Sequence, residues 1–218
     1  MAKVFIVGGA GKVGKRLITH LCAKGHEALA LYRSPEQADE LAALGATPVA
    51  GSLLDLSIES LSGLMVGSDV AVFSAGAGGK GGPEMTNAID GKGLELTVAA
   101  ARQAGIPRFL LVSVFPEALR DKQMPHGFEN YMHVKKLADV HLAESGLDWV
   151  ILRPGTLSDE TGRGRVRAGL AIPYGNVSRD DVAATIAELV NTPQVNRVII
   201  ELTEGETPVV DAVRRLAD

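Results

Sequence analysis

The 218-residue chain holds a single cysteine, Cys22, so no internal disulfide can form. Cys22 falls within an apolar helical pattern, where a thiol packs as a small apolar side chain. No apolar run reaches the length needed to cross a membrane. The N-terminus enters a strand almost at once and shows no charged-then-apolar secretory pattern. A cytoplasmic location is the expectation. No basic block stands out: 22 Lys and Arg stand against 26 Asp and Glu, a net charge of −4. Neither nucleic acid nor a membrane surface is therefore expected as a partner. No His/Asp/Glu spacing makes a metal cage, and His126 and His133 read as non-ligands, so no metal is expected. There is no internal repeat and no low-complexity linker. Hydrophobic residues make up 46% and charged residues 22%, an ordinary globular balance over a length that suits one domain.

What is present is organised around KVFIVGGAGKVGKRL, Lys3–Leu17. An apolar run (Val4 to Val7) enters a turn with Gly8, Gly9, Gly11 and Gly14, and an apolar-periodic segment (Val13, Leu17, Leu21) follows. This reads as strand, tight turn, helix. Gly8, Gly11 and Gly14 are spaced G-x-x-G-x-x-G, a variant of the dinucleotide fingerprint. Gly8 lets the chain leave the strand sharply. Gly11 leaves room for a pyrophosphate beside the backbone, and Gly14 lets the helix pack closely on the sheet. The helix points free N–H groups and its positive end at the phosphates. A nucleotide cofactor is the expectation.

Further along, apolar strands alternate with helical patterns. Strands are expected at Glu27–Tyr32, Thr47–Ala50, Asp69–Ser74, Arg108–Val112, Trp149–Leu152 and Arg197–Leu202. Helices are expected at Glu36–Leu44, Ser57–Leu64, Met85–Ala104, Phe128–Ser145, Asp180–Asn191 and Val209–Leu216. Gly76–Gly82 and Pro116–Gly127 read as loops, the second a candidate lid, and Pro154–Gly175 as irregular. The alternation implies right-handed crossovers in an α/β, doubly wound parallel sheet of the Rossmann type. Residues 153–218 are too few for an independent domain and read as a substrate-side cap on the same core.

The second strand ends in Tyr32-Arg33-Ser34, where an NAD-preferring site carries an acid. An arginine there can hold a 2′-phosphate with charge-assisted bonds, which favours NADP(H) over NAD(H); otherwise Arg33 is a solvated surface charge. Lys12 either adds charge near the phosphates or faces solvent. Asp55 either accepts from an adenine amino group or caps the helix that begins near Ser57. Ser74, Ala75 and Gly76 end the fourth strand at the carboxyl edge, where a dinucleotide lies.

These residues resemble the short-chain dehydrogenase/reductase superfamily, and more narrowly its small atypical NAD(P)-binding or NmrA-like members, which include flavin and biliverdin reductases. The likeness covers nearly the whole chain. GGAGKVG (Gly8–Gly14) matches the glycine motif, GSLLD (Gly51–Asp55) the adenine-side motif and SAGAG (Ser74–Gly78) the strand-four motif. LLVSV (Leu110–Val114) ends on the family serine, Ser113, and YMHVK (Tyr131–Lys135) is a Y-x-x-x-K pair. SGLDWVILRPGTL (Ser145–Leu157) and SRDDVA (Ser178–Ala183) are close to stretches typical of the atypical group. The resemblance implies strand order 3-2-1-4-5-6-7, and that Arg153-Pro154-Gly155 passes the nicotinamide. It implies cofactor contacts at Gly8, Gly11, Lys12, Val13, Gly14, Arg33, Ser34, Asp55, Leu56, Ser74, Ala75, Gly76, Lys135 and Pro154. One departure is the long segment between Ser113 and Tyr131, with Pro116 and Pro125.

Tyr131 and Lys135, at i and i+4, share a helix face. A nearby ammonium favours the phenolate and makes tyrosine a better acid/base near neutrality. In that reading Tyr131 supplies a proton, Lys135 bonds the nicotinamide ribose, and Ser113 polarises a substrate carbonyl. In the competing one Tyr131 is a half-buried aromatic, Lys135 an exposed charge and Ser113 a backbone cap. The expected function is an NADPH-dependent reductase of a small carbonyl, quinone or flavin-like compound, acting as a monomer or homodimer. The alternatives are an NmrA-like NADP(H) sensor and a nucleotide-sugar epimerase or dehydratase. The last usually carries a larger C-terminal lobe than the roughly 65 residues that follow Leu152 here.

Overall fold

Alternate residues of the first strand go to opposite sides of a sheet. In β1 (Lys3–Val7), Val4 and Ile6 enter one core and Phe5 and Val7 the other. A computed structural model describes residues 1–115, 118 and 124–217. Its chain runs from β1 through α1 (Lys12–Ala23), β2 (Glu27–Tyr32), α2 (Ala38–Ala43), β3 (Thr47–Ala50), α3 (Ile58–Met65) and β4 (Val70–Phe73). It continues through α4 (Gly82–Thr86), α5 (Gly93–Gln103), β5 (Arg108–Val112), α6 (His126–Ala143), β6 (Asp148–Pro154), β7 (Thr156–Ser158) and β8 (Arg165–Gly169). It ends with β9 (Asn176–Ser178), α7 (Arg179–Asn191), β10 (Val198–Glu204), β11 (Thr207–Pro208) and α8 (Val209–Arg214).

The main sheet has the order β11-β8-β10-β6-β5-β4-β1-β2-β3. From β3 to β10 every pairing is parallel, so the implied order holds with β10 in seventh place. The order reverses between β1 and β4, the switch point at which ligands of such sheets bind. Helices α1, α2, α7 and α8 bury their apolar stripes on one face (Leu17, Leu21, Leu41, Ile186, Val213). Helices α3, α5 and α6 do so on the other (Leu61, Met65, Leu94, Val98, Leu142). Strands covered on both sides read as continuous apolar runs, as β4 does.

Two expectations change and a third falls mostly outside the described residues. Pro154–Gly175 is not irregular: β7 pairs with β9, and β8 lies antiparallel on β10. The alternation in β8 spans only Arg165 to Ala168, too short a run to stand out beside the glycines around it. The single helix expected over Met85–Ala104 is α4, then a π-helical turn Asn87–Lys92, then α5. Most of the loop expected over Pro116–Gly127 lies outside the described residues, and its last two residues open α6.

Candidate functional site

Gly8 leaves β1 with φ +89°, and a Cβ there would lie 2.6 Å from the Ala75 nitrogen. The turn after β1 thus packs directly on the chain leaving β4. Gly14 also earns its place sterically, though against the turn and not the sheet. Its Cβ would meet the Gly8 carbonyl at 2.3 Å and the Gly9 carbonyl at 2.7 Å. The residue that brings the turn onto the sheet is Gly9, whose Cβ would lie 2.6 Å from the Ala30 Cβ of β2. Gly11, the N-cap of α1, is open apart from the Gly8 carbonyl at 3.1 Å. No side chain caps α1 and its first turn holds no acid, so no side chain satisfies the free N–H groups and positive end of this helix. This fits the pyrophosphate of a dinucleotide.

Around that corner the expected residues take different parts. Val13 is buried in α1, leaving its backbone as the only group it could offer. The Lys12 ammonium pairs at 2.5 Å with Asp159, beyond β7, which Arg179 also approaches at 3.1 Å. Arg33 is exposed at the end of β2 and its guanidinium meets no acid among the described residues. Gln37 Oε1 accepts from the backbone N–H groups of Arg33 and Ser34 (3.2 and 3.1 Å) and sets that turn. Asp55 is exposed and does not cap α3; Ser57 does, accepting from the Ser60 N–H. Leu56 packs under Gly51, whose Cβ would sit 2.8 Å from it. The Ser74 N–H donates to Val7 O at 2.9 Å, which ties the end of β4 to β1. Pro154 is buried, in register with Leu202 of β10.

One carboxylate organises the next loop. Asp90 sits buried in the π-helical turn, and its Oδ2 accepts from the Ala77 N–H at 3.0 Å. Its Oδ1 would lie 3.0 Å from a Cβ on Gly76. Side chains in such turns frequently serve function. Lys135 is 2% exposed on the inner face of α6, and its Nζ donates to Val112 O at 3.0 Å. One helical turn on, buried Asp139 accepts from the Ser113 hydroxyl at 2.5 Å and from Arg153 Nε at 2.9 Å, with Arg153 Nη2 also at 2.9 Å. Burial pushes the carboxyls of Asp90 and Asp139 up, against the pull of Lys135 on both. Burial pushes Lys135 down, against the pull of the two acids. The four groups form a mutually compensated buried set.

Tyr131 and Lys135 share α6 but have different surroundings. Tyr131 lies in an apolar cluster with Phe115, Met132, Phe128 and Ile172. Burial, then the negative charges of Asp90 and Asp139, push its phenol well above the ordinary value. The Lys135 ammonium donates to the Val112 carbonyl, and the charges of Asp90 and Asp139 act on it from a distance. The Ser113 hydroxyl donates to Asp139 Oδ1 and is no backbone cap. Asp90, Asp139 and Gly9 carry roles the sequence reading did not assign. Asp139 had a signal: it continues the i, i+4 stripe of Tyr131 and Lys135. We expect Tyr131→Phe and the unaltered protein to show the same rise in phenolate absorbance around pH 10. An additional phenol titrating there in the unaltered protein would contradict the buried, protonated Tyr131.

Among the described residues, cavities open beside α6 and beside α8. One of about 470 Å³ lies beside α6, lined by Phe115, Asp139, Val140, Arg153, Ile199 and Glu201. A larger one of about 810 Å³ opens between the C-terminal ends of α1 and α7 and helix α8, at Lys24, Glu188 and Arg214. It is at the edge away from the glycine turn and touches none of the residues above. Among the described residues no cluster of His, Cys, Asp or Glu could hold a metal ion, and no helix is long and apolar enough to cross a membrane.

Residues 8–193 match a protein family described as NAD(P)H-binding. A Bacillus subtilis protein described as the uncharacterized sugar epimerase YhfK is 35% identical over 98% of this chain and 100% of its own length. A solved Bacillus halodurans protein, named among NAD-dependent epimerases/dehydratases, is 35% identical with TM-score 0.91, covering 99% of this chain and 100% of that one. The solved ChuY of Escherichia coli O157:H7, an anaerobillin reductase, is 25% identical with TM-score 0.78, covering 94% and 97%.

Proposed function

The chain belongs to the NAD(P)H-binding family, and from that premise we propose that it is an NADPH-dependent oxidoreductase whose electron acceptor is a small compound of the quinone or flavin type. The observation that carries this reading is the uncapped, acid-free start of α1 above a turn with no room for side chains. Gly8, Gly11 and the first-turn backbone of α1 would hold the pyrophosphate, and Ser74 to Gly76 would border the ribose and nicotinamide. When bound, the nicotinamide supplies a hydride. The protein's own residues orient and exclude water. The backbone of residues 74–77 is held to the π-helical turn by Asp90, and β5 is held to α6 by Lys135 and Asp139. Residues 153–218 would form the substrate-side cap.

Tyr131 decides among acceptors. A phenol raised far above neutrality is a weak acid for a simple carbonyl, whose reduction needs a proton delivered to oxygen. Quinones and flavins take that proton from solvent, so they suit this site better than aldehydes. The cavity beside α6 has the volume of a small-molecule pocket. A screen of NADPH oxidation against flavins, quinones and aldehydes tests this, with turnover expected for the first two. Tight NADPH binding without turnover of any acceptor would favour the NADP(H)-sensing alternative; no NADPH binding would end the reading.

The preference for the phosphorylated coenzyme rests on Arg33, exposed and without an acidic partner at the end of β2. Charge-assisted bonds to a 2′-phosphate should make NADPH bind at least about tenfold more tightly than NADH. Arg33→Ala should bring the two dissociation constants together in fluorescence titration. Equal affinities in the unaltered protein would assign Arg33 to the solvated surface.

A further inference from the structure

Ser113 has a fixed backbone and a committed proton. Its N–H donates to Leu152 O at 2.7 Å, continuing the β5–β6 ladder, and Arg153 follows Leu152 on the neighbouring strand. Both side chains converge on Asp139, itself 3% exposed. Oδ2 takes Arg153 Nε at 2.9 Å, with Nη2 at the same distance, and Oδ1 takes Ser113 Oγ at 2.5 Å. A guanidinium never yields its proton, and its charge against Oδ2 favours the carboxylate form of Asp139, whose Oδ1 accepts from the Ser113 hydroxyl. The hydrogen between Oδ1 and Oγ is then the serine's own. A serine hydroxyl has one proton and two lone pairs. With the proton spent, only lone pairs remain for any other group.

We propose that Asp139 is a positioning residue that makes Ser113 a hydrogen-bond acceptor toward the carboxyl edge of β5, so that the favoured substrate presents an N–H or O–H there. A flavin ring, with its imide N–H, meets this requirement; a quinone without N–H or O–H does not. The substrate half rests on the oxidoreductase reading, whereas the orientation of the hydroxyl does not. The sense of the bond is opposite to that of a serine polarising a carbonyl, and it is set by a residue two helical turns from Tyr131.

Two measurements test this. In the ligand-free protein, proton NMR should show a low-field, slowly exchanging hydroxyl proton that disappears in Ser113→Ala and moves upfield in Asp139→Asn. With NADPH as donor, kcat/KM for riboflavin should fall about tenfold in Ser113→Ala and in Asp139→Asn, and no further in the double variant, because the two act as one unit. Ser113→Thr, which keeps the hydroxyl, should recover most of the loss. The preference for riboflavin over menadione should shrink by the same factor in Ser113→Ala. Losses that multiply in the double variant, or an unchanged acceptor preference, would overturn the proposal, since Asp139 would then act on packing alone. Should Asp139→Asn not fold, the proton signal and the Ser113 variants still decide. If neither acceptor is reduced by the unaltered protein, the oxidoreductase reading falls, and the NMR signal by itself sustains or overturns the role of Asp139.

Discussion

Gly14→Ala is expected to abolish NADPH binding and to lower stability by about 3 kcal/mol, the upper part of the range for overpacking a rigid site. The added methyl would sit 2.3 Å from the Gly8 carbonyl and 2.7 Å from the Gly9 carbonyl. Both are backbone atoms of a turn clamped on its far side, because Gly8 abuts Ala75 and Gly9 abuts Ala30. No flexible side chain can give way, so either α1 lifts from the turn or the turn lifts from the sheet. Each movement displaces the N–H groups that would face the pyrophosphate. Gly11→Ala is the informative companion. Its methyl meets only the Gly8 carbonyl, at 3.1 Å, and should leave stability within about 0.5 kcal/mol of the parent while weakening coenzyme binding by crowding the corner. Chemical denaturation and coenzyme titration of both variants give the comparison. Unimpaired NADPH binding by Gly14→Ala would contradict the close-packed turn.

Lys135→Met should cost about 3–5 kcal/mol at neutral pH, the usual penalty for removing one member of a buried charge set. The ammonium is 2% exposed, offsets the charges of Asp90 and Asp139 and satisfies the Val112 carbonyl. Asp139 keeps Arg153, but Asp90 is left with backbone donors alone. The pH dependence follows in sign. Asp90 already has a folded-state pKa raised above its unfolded value, and loss of Lys135 raises it further. A raised carboxyl pKa means that stability is lost as pH rises through it and regained as pH falls. The deficit of Lys135→Met should therefore narrow on acidification, as Asp90 takes up a proton. Urea unfolding at several pH values measures this; a deficit independent of pH would show that Asp90 is not the group left uncompensated.

Much of the site's frame was legible because it is local. The glycine spacing, the apolar run before it and the apolar period after it are all within Lys3–Leu21, and so are the contacts that require Gly14, whereas Gly8 and Gly9 answer to Ala75 and Ala30. The alternation of strands and helices was equally readable, since burial on both faces leaves continuous apolar runs such as Val70–Phe73. The spacing of Tyr131 and Lys135 placed both on one helix, again a local property. What each touches was not local. Lys135 feels the charge of carboxylates 45 positions before it and one turn after it, and the first stands in a π-helical turn inside what reads as an unbroken helix. Strand β8 escaped notice for a similar reason. Its alternation of Arg165, Val166, Arg167 and Ala168 lasts only five residues between glycines, and the hydrogen bonds of β10 give it its form.

The sequence by itself determined that a strand turns into a helix at Gly8–Gly14 with space for an anion, and that repeated crossovers build a parallel sheet around it. Both follow from steric and periodic rules acting over a few residues. Only the tertiary structure decided the chemistry of Tyr131, Lys135 and Ser113. A proton's position depends on burial and on the nearest charges, and those were delivered by Asp90, Asp139 and Arg153 from three separate elements.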